Sequence, residues 1–155
     1  MSVASSVERY LAQHEIAWDR VDHAPSGCAL DAAHRAHLAP GELAKAIVLE
    51  DDYGYVVAVI PGDRRLDLGK VREAMGRDLG LASEGRTADL FPDCETGAVP
   101  PTGEAYGLAT VWDASLGDRP HVYFEGGDHR TLVRVSGRAF SGLMSGADRI
   151  DATRD

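Results

Sequence analysis

The sequence contains no apolar run approaching the roughly 20 residues that a helix needs to cross a bilayer, so no membrane span is expected. Its start, Met1-Ser2-Val3-Ala4-Ser5-Ser6, has no basic segment followed by an apolar one, and no signal peptide is expected there. Cysteine is scarce. Cys28 and Cys94 form no CxxC pair, which leaves a disulfide framework or zinc ribbon without support and makes two free thiols in a cytosolic protein the simplest reading. Also missing are GxSxG, a P-loop and GxGxxG, so acyl-enzyme chemistry on a nucleophile elbow and nucleotide binding lack their usual signatures. Positive charge is short as well: 16 Lys and Arg stand against 25 Asp and Glu, for a net charge of -9. Phosphate binding draws on a basic footprint, so the balance argues against tight, non-specific binding to nucleic acid, DNA included.

What remains is an ordinary globular composition, 44% hydrophobic and 26% charged over 155 residues, enough for one domain with a real core. Residues 1–150 read as that domain and 151–155 as a frayed polar tail. Ser5-Ser6-Val7-Glu8 has the form of a capping box at the start of a first helix, with Val7 and Leu11 on one face. Ile16 and Trp18 alternate with polar residues in a strand-like stretch running to His23. Pro25-Ser26-Gly27 then breaks the chain, and Leu30 to Leu38 reads as an Ala-rich helix closed by Pro40-Gly41. The apolar segments 45–49 and 55–60 flank Asp51-Asp52-Tyr53-Gly54 as a hairpin. Asp67 can cap a helix carrying Leu68, Val71, Met75 and Leu79, and Thr87 a brief one through Leu90. Strands are expected over 105–112, 121–124 and 131–135, with Ser136 opening a closing helix that carries Phe140, Leu143 and Met144. Helices first, a hairpin next and strands later predict an α+β domain with a curved, mixed or mostly antiparallel sheet flanked by helices.

Four features can carry chemistry. Lys45 opens an apolar strand directly after Leu43-Ala44. A lysine there can hold a phosphate or carboxyl oxygen or polarise a carbonyl, or it can snorkel from a sheet edge. In Gly97-Ala98-Val99-Pro100-Pro101-Thr102-Gly103 the prolines fix the backbone and the glycines allow close approach to a ligand. The loop either aims N–H groups at a developing oxyanion or serves as a rigid connector. Gly126-Gly127-Asp128-His129 reads as a tight turn whose Asp128 and His129 either activate water or stand exposed. Among the histidines, His34 and His37 lie three apart on a helix. With His23 they give a metal-dependent reading, although no acidic or cysteine ligand stands at a fitting spacing. His23 itself ends a strand before the Pro-Gly break, where it lines a cleft or sits at an edge.

Order and spacing add more than any single feature. Val21-Asp22-His23, Ala32-Ala33-His34, Ala44-Lys45-Ala46-Ile47-Val48-Leu49, Val59-Ile60-Pro61-Gly62-Asp63, Leu66 to Val71, the Gly97 to Gly103 loop, and Tyr123-Phe124-Glu125-Gly126-Gly127 with Thr131 to Val135 follow one another. In that order they resemble the YbaK/prolyl-tRNA-synthetase-associated family from about Val7 to Met144. The resemblance implies a deacylase that hydrolyses the ester bond of mischarged aminoacyl-tRNA. It implies no cofactor and no metal. The 3′ aminoacyl end of tRNA is the implied partner and an aminoacyl-tRNA synthetase a further one, with no membrane and no DNA. The family's strand-initial lysine falls on Lys45 and its Gly-Pro loop on Gly97 to Gly103. The implied catalytic groups are Lys45 and backbone amides near Gly103, and the implied substrate-binding residues are His23, Ala46, Gly97, Pro100, Pro101, Glu125 and His129. Two departures stand out. Ala46 follows the lysine where many members carry Thr, Ser or Asn, which favours a small or apolar aminoacyl group. Glu125 is charged where members often have a small or neutral residue, and from there it can read a substrate amine or simply be exposed. The competing reading is a binding module that kept the fold without the activity.

Overall fold

The computed structural model describes residues 3–25 and 29–155. Helix α1 (Ser5–Gln13) buries Val7 and Leu11 completely, one helical turn apart. Its start is not held by the expected capping box. Ala4 occupies the cap position without a side-chain bond, and the Ser6 N–H donates instead to Asp93 Oδ2 at 2.9 Å. A carboxylate remote in sequence thus satisfies a donor that the helix cannot satisfy itself. Strand β1 (Asp19–Asp22) is shorter than the expected stretch from Ile16 to His23. Helix α2 (Ala29–Arg35) follows; Cys28 and the Ser26-Gly27 break lie outside the described residues.

The hairpin forms where the sequence puts it. Strands β2 (Leu43–Asp51) and β3 (Gly54–Pro61) pair antiparallel from Ala44↔Pro61 to Asp51↔Gly54. The Asp51 carboxylate accepts the N–H groups of Tyr53 and Gly54, and Gly54 supplies φ 140°, which a side chain would resist. After β4 (Arg65–Leu66), Asp67 caps α3 (Leu68–Met75) as expected, accepting from the Lys70 N–H at 3.1 Å. Gly76 ends that helix at φ 63°, so Leu79 lies beyond it yet still reaches the core. Strand β5 (Gly80–Leu81) precedes α4 (Glu84–Leu90). The cap of α4 is Ser83, not Thr87: the Ser83 hydroxyl accepts the Arg86 N–H, while the Thr87 hydroxyl donates back to the Ser83 carbonyl.

A 3₁₀ turn over Gly103–Tyr106 stands where a strand was expected to begin. Strands β6 (Ala109–Asp113), β7 (His121–Glu125) and β8 (Thr131–Ser136) then lead into α5 (Gly137–Leu143), which is capped by Ser136. The closing residues are not frayed. Strand β9 (Asp148–Ile150) joins β6, and β10 (Thr153–Arg154) pairs with β4. Ala152 is fully buried and its N–H donates to Asp113 Oδ1, so one apolar residue and one carboxylate anchor what looked like a polar tail.

The main sheet runs β1-β8-β7-β2-β3-β6-β9, with β5 also on β2. It is mixed: β2/β7, β3/β6 and β6/β9 are parallel and the other pairs antiparallel. One face carries Val57, Val59, Phe124, Val133 and Val135 against α1 and α5. On the other, α3 covers Leu49, Val56, Ala58 and Ile60, and α2 sets Ala32 and Ala33 against Leu43 and Leu132. The α+β mixed sheet flanked by helices is the architecture expected from the order of the sequence segments.

Candidate active site

Strand alternation decides where Lys45 points. Leu43 faces α2, so Lys45, two residues on, shares that face while Ala44 turns to the opposite core. Strand β2 pairs with β7 only at Leu43↔Tyr123 and Ala44↔Phe124, then meets β5 at Leu49↔Leu81. Between those contacts the edge of β2 has no neighbouring strand among the described residues. A cavity of about 220 Å³ opens there, lined by Lys45, Ala46, Gly97, Val99, Glu125 and His129, with Leu43, Ala44, Ala32 and Leu132 closing its apolar side. The parallel register carries Glu125 alongside Lys45, one residue past the last pair.

The far wall is tied together by backbone bonds. The Glu95 N–H donates to the Gly127 carbonyl and the Ala4 N–H to the Gly126 carbonyl, both at 2.8 Å. The His129 Nε2 lies 2.7 Å from the Thr96 carbonyl. A carbonyl only accepts, so that nitrogen carries the proton. Gly97 takes φ 83°, a turn conformation that favours glycine, while a Cβ there would make only ordinary contact with His129 Cε1 at 3.5 Å. The N–H groups of Gly97 and Val99 have no partner among the described residues.

Asp128 is neither exposed nor free to act as a base. It is 4% exposed, and its carboxylate accepts from the N–H groups of Arg130 (2.9 Å) and Thr131 (2.7 Å) and from the Thr131 hydroxyl (2.9 Å). It organises the β7–β8 turn and holds His129 at φ 61°, a backbone state rare for a residue with a side chain. Glu125 Oε2 accepts the N–H groups of Gly127 and Asp128 at 2.9 and 3.3 Å. Burial raises the Glu125 carboxyl above its ordinary range, against the pull of those two N–H groups and of His129. The Lys45 ammonium has no ion pair or hydrogen bond among the described residues.

Behind this wall, Tyr106 donates its hydroxyl to Asp93 Oδ1 at 2.7 Å and lies 3.4 Å from Cys94 Sγ. Burial, helped by the nearby Asp93 and Glu125 charges, pushes the Cys94 thiol up to about 12. Only the thiolate reacts. In a Cys28→Ser protein, Cys94 is therefore expected to resist a disulfide reagent at pH 8 until denaturant is added. Rapid labelling of the native protein would show that the region around Cys94 opens.

The structure thus brings Lys45, Ala46, Gly97, Glu125 and His129 to one cavity, and leaves His23, Pro100, Pro101 and Gly103 off its lining. Pro100 and Pro101 are buried behind Val99. Gly103 starts the 3₁₀ turn with Val57 and Thr110 against it; a Cβ there would meet Thr110 Oγ1 at 2.5 Å and Val57 Cγ2 at 2.8 Å. Gly103→Ala is therefore expected to cost about 1–3 kcal/mol through overpacking, read as a lower Tm, while the activity per folded molecule holds. His23 is half-buried, with Nδ1 against the Ala24 carbonyl and Nε2 buried without a partner among the described residues. No three His, Cys, Asp or Glu side chains among the described residues come together to hold a metal. Sequence reasoning missed Val99, Leu132 and Ala32. The alternation that puts Leu132 opposite Val133 was the available signal for the second of these.

The chain matches the model of the aminoacyl-tRNA editing domain over residues 23–143. None of the curated proteins matches it. Among solved structures, the hypothetical protein APE2540 is 26% identical with a TM-score of 0.85, over 97% of this chain and 100% of that one. A candidate trans-editing enzyme for prolyl tRNA synthetase is 27% identical with a TM-score of 0.81, over 97% and 96%. A candidate signal transduction protein from Marinobacter aquaeolei VT8 is 20% identical with a TM-score of 0.78; the match spans 97% of this chain and 30% of that one, and shows the fold alone. The family match takes in the whole cavity-bearing segment, from β2 through the β7–β8 turn, and the chain belongs to the aminoacyl-tRNA editing domain family.

Proposed function

We propose that this protein is a trans-acting deacylase that hydrolyses the ester bond of mischarged aminoacyl-tRNA, with the cavity beside Lys45 holding the aminoacyl group. The observation that carries this reading is an ammonium, without a partner among the described residues, on the wall of a cavity of about 220 Å³ that Glu125, His129, the Gly97–Val99 backbone and apolar side chains also line. That space suits an amino acid and falls below the roughly 300–1,000 Å³ of sites that enclose larger ligands. Ala46 on its wall, where many family members carry Thr, Ser or Asn, favours a small or apolar side chain.

Hydrolysis then proceeds without a protein nucleophile. Water attacks the ester carbonyl carbon, the tetrahedral oxyanion collapses, the acyl C–O bond breaks, and the ribose oxygen leaves with a proton. The products are a free amino acid and uncharged tRNA. Lys45 binds oxygens of the ester or of the terminal adenosine phosphate, and the N–H groups of Gly97 and Val99, on the wall of the cavity, serve the oxyanion in place of Gly103. A ribose hydroxyl of the substrate helps orient the water, so positioning supplies most of the rate. The net charge of -9 fits a protein that engages the 3′ end and leaves the grip on the tRNA body to a synthetase partner.

The test is release of free amino acid from a panel of mischarged tRNAs carrying Ala, Cys or Ser. Hydrolysis of one member well above the buffer rate is the expected result. No hydrolysis of any member would favour a binding module that keeps the cavity without the chemistry.

A further inference from the structure

Lys45 and Glu125 each follow directly on the last β2–β7 register pair, Ala44↔Phe124, and line the same cavity, yet no ion pair joins them among the described residues. Both hydrogen bonds to the Glu125 carboxylate fall on Oε2, and Oε1 has no partner among the described residues. A carboxylate withdrawn in large part from water, as burial makes Glu125, is costly unless a cation or donors satisfy it. Two backbone N–H groups do so in part, and they fix the direction of the side chain. The cavity that Glu125 lines also has the Lys45 ammonium on its wall. An occupant that gains from both groups carries a positive end for Glu125 and an electron-rich oxygen end for Lys45. An α-aminoacyl ester has this arrangement, with its ammonium one carbon away from its carbonyl.

We infer that Glu125 is a specificity-determining residue that binds the free α-ammonium of the aminoacyl group, so that the cavity selects esters of unblocked amino acids and rejects N-acylated ones. The inference rests on the deacylase reading for its substrate, but the selectivity belongs to the cavity and can be read by binding alone. Removing one partner of a charge-assisted hydrogen bond in a desolvated site leaves the other unpaired. N-acetylation of the substrate is therefore expected to lower kcat/KM roughly ten- to a hundredfold. Glu125→Gln keeps an oxygen to accept the Gly127 and Asp128 N–H groups, so the turn is retained while the charge is lost.

The experiment has two arms. In the first, wild type and Glu125→Gln are assayed on each panel aminoacyl-tRNA and on its N-acetyl form. The expected result is strong preference of the wild type for the free amine, and near-equal rates on the two forms in Glu125→Gln. Equal rates on the two forms in the wild type would overturn the inference, as would a folded Glu125→Gln that keeps the full preference. The second arm measures binding of L-alanine methyl ester and N-acetyl-L-alanine methyl ester by calorimetry. Tighter binding of the free amine, lost in Glu125→Gln, supports the inference even when no panel member is hydrolysed, in which case the deacylase reading alone has failed. Equal binding of the two esters by the wild type overturns the inference on its own.

Discussion

Replacing Lys45 by alanine is expected to lower kcat/KM for ester hydrolysis by roughly 10²–10³-fold, with little change in stability. Two features of the side chain separate these effects. Its backbone is held in the hairpin opposite Ile60, one pair in from the open end, by strand pairing that does not depend on the lysine head. Its ammonium has no partner among the described residues, so no buried charge is stranded when it is removed. A half-buried lysine of that kind is worth on the order of 0.5 kcal/mol, or about 1–2 °C in Tm for a domain of this size. In the proposed transition state the same ammonium would meet developing negative charge, which a positioned charge stabilises. Lys45→Met retains most of the apolar stem and should be as inactive as the alanine variant, which assigns the loss to charge. Lys45→Arg should recover only part of the rate, because a planar fork does not fit where a point charge sat. Near-normal hydrolysis by Lys45→Ala would remove Lys45 from the mechanism.

Asp128→Ala is expected to cost the most stability of any single change near the cavity, about 2–4 kcal/mol. The carboxylate receives three bonds, two of them from backbone N–H groups at the head of β8, and Thr131 is fully buried. Without Asp128 those donors lose their acceptor, and the cost of unsatisfied buried groups dominates over the lost bonds. For a chain of this length the drop in Tm is roughly 4–16 °C. Asp128→Asn keeps an oxygen for the two N–H groups, and the Thr131 hydroxyl can turn to accept from the amide. It should therefore cost less than about 1 kcal/mol. The turn also carries Glu125, Gly127 and His129, the groups that fix the far wall, so the alanine variant should lose activity below its melting range as well. Thermal unfolding of the two variants side by side checks this. Equal Tm values for Asp128→Ala and wild type would show that the turn holds without its carboxylate.

The sequence carried some of this fold and hid the rest for identifiable reasons. The β2–β3 hairpin, the Asp67 cap of α3 and the inward face of β8 follow from rules that act within a few residues, and they form where those rules put them. Misreadings came where a distant group replaced a local one. The cap of α1 is Asp93, remote in the chain, and no scan of Ser5 to Glu8 can find it. Asp151 to Asp155 looked like a tail because Ala152 gives no sign of the Asp113 carboxylate that receives its N–H. The site was legible in the same uneven way. Lys45 stood out because a charged residue began an apolar strand. That it shares a cavity with Glu125 depends on a two-pair parallel contact between β2 and β7, which sequence spacing does not reveal. Gly103 looked equivalent to Gly97 as a flanking glycine. In the structure Gly97 lines the cavity, while Gly103 packs where Val57 and Thr110 leave no room for a side chain.

The most direct test of the account is a single-turnover experiment with protein in excess over the best-hydrolysed panel aminoacyl-tRNA, run beside Lys45→Ala at the same concentration. The account predicts that wild type releases the free amino acid with a rate constant at least a hundredfold above that of Lys45→Ala, which stays close to the buffer rate. Equal release by the two proteins, or release by neither from any panel member, would contradict the claim that this cavity hydrolyses aminoacyl-tRNA.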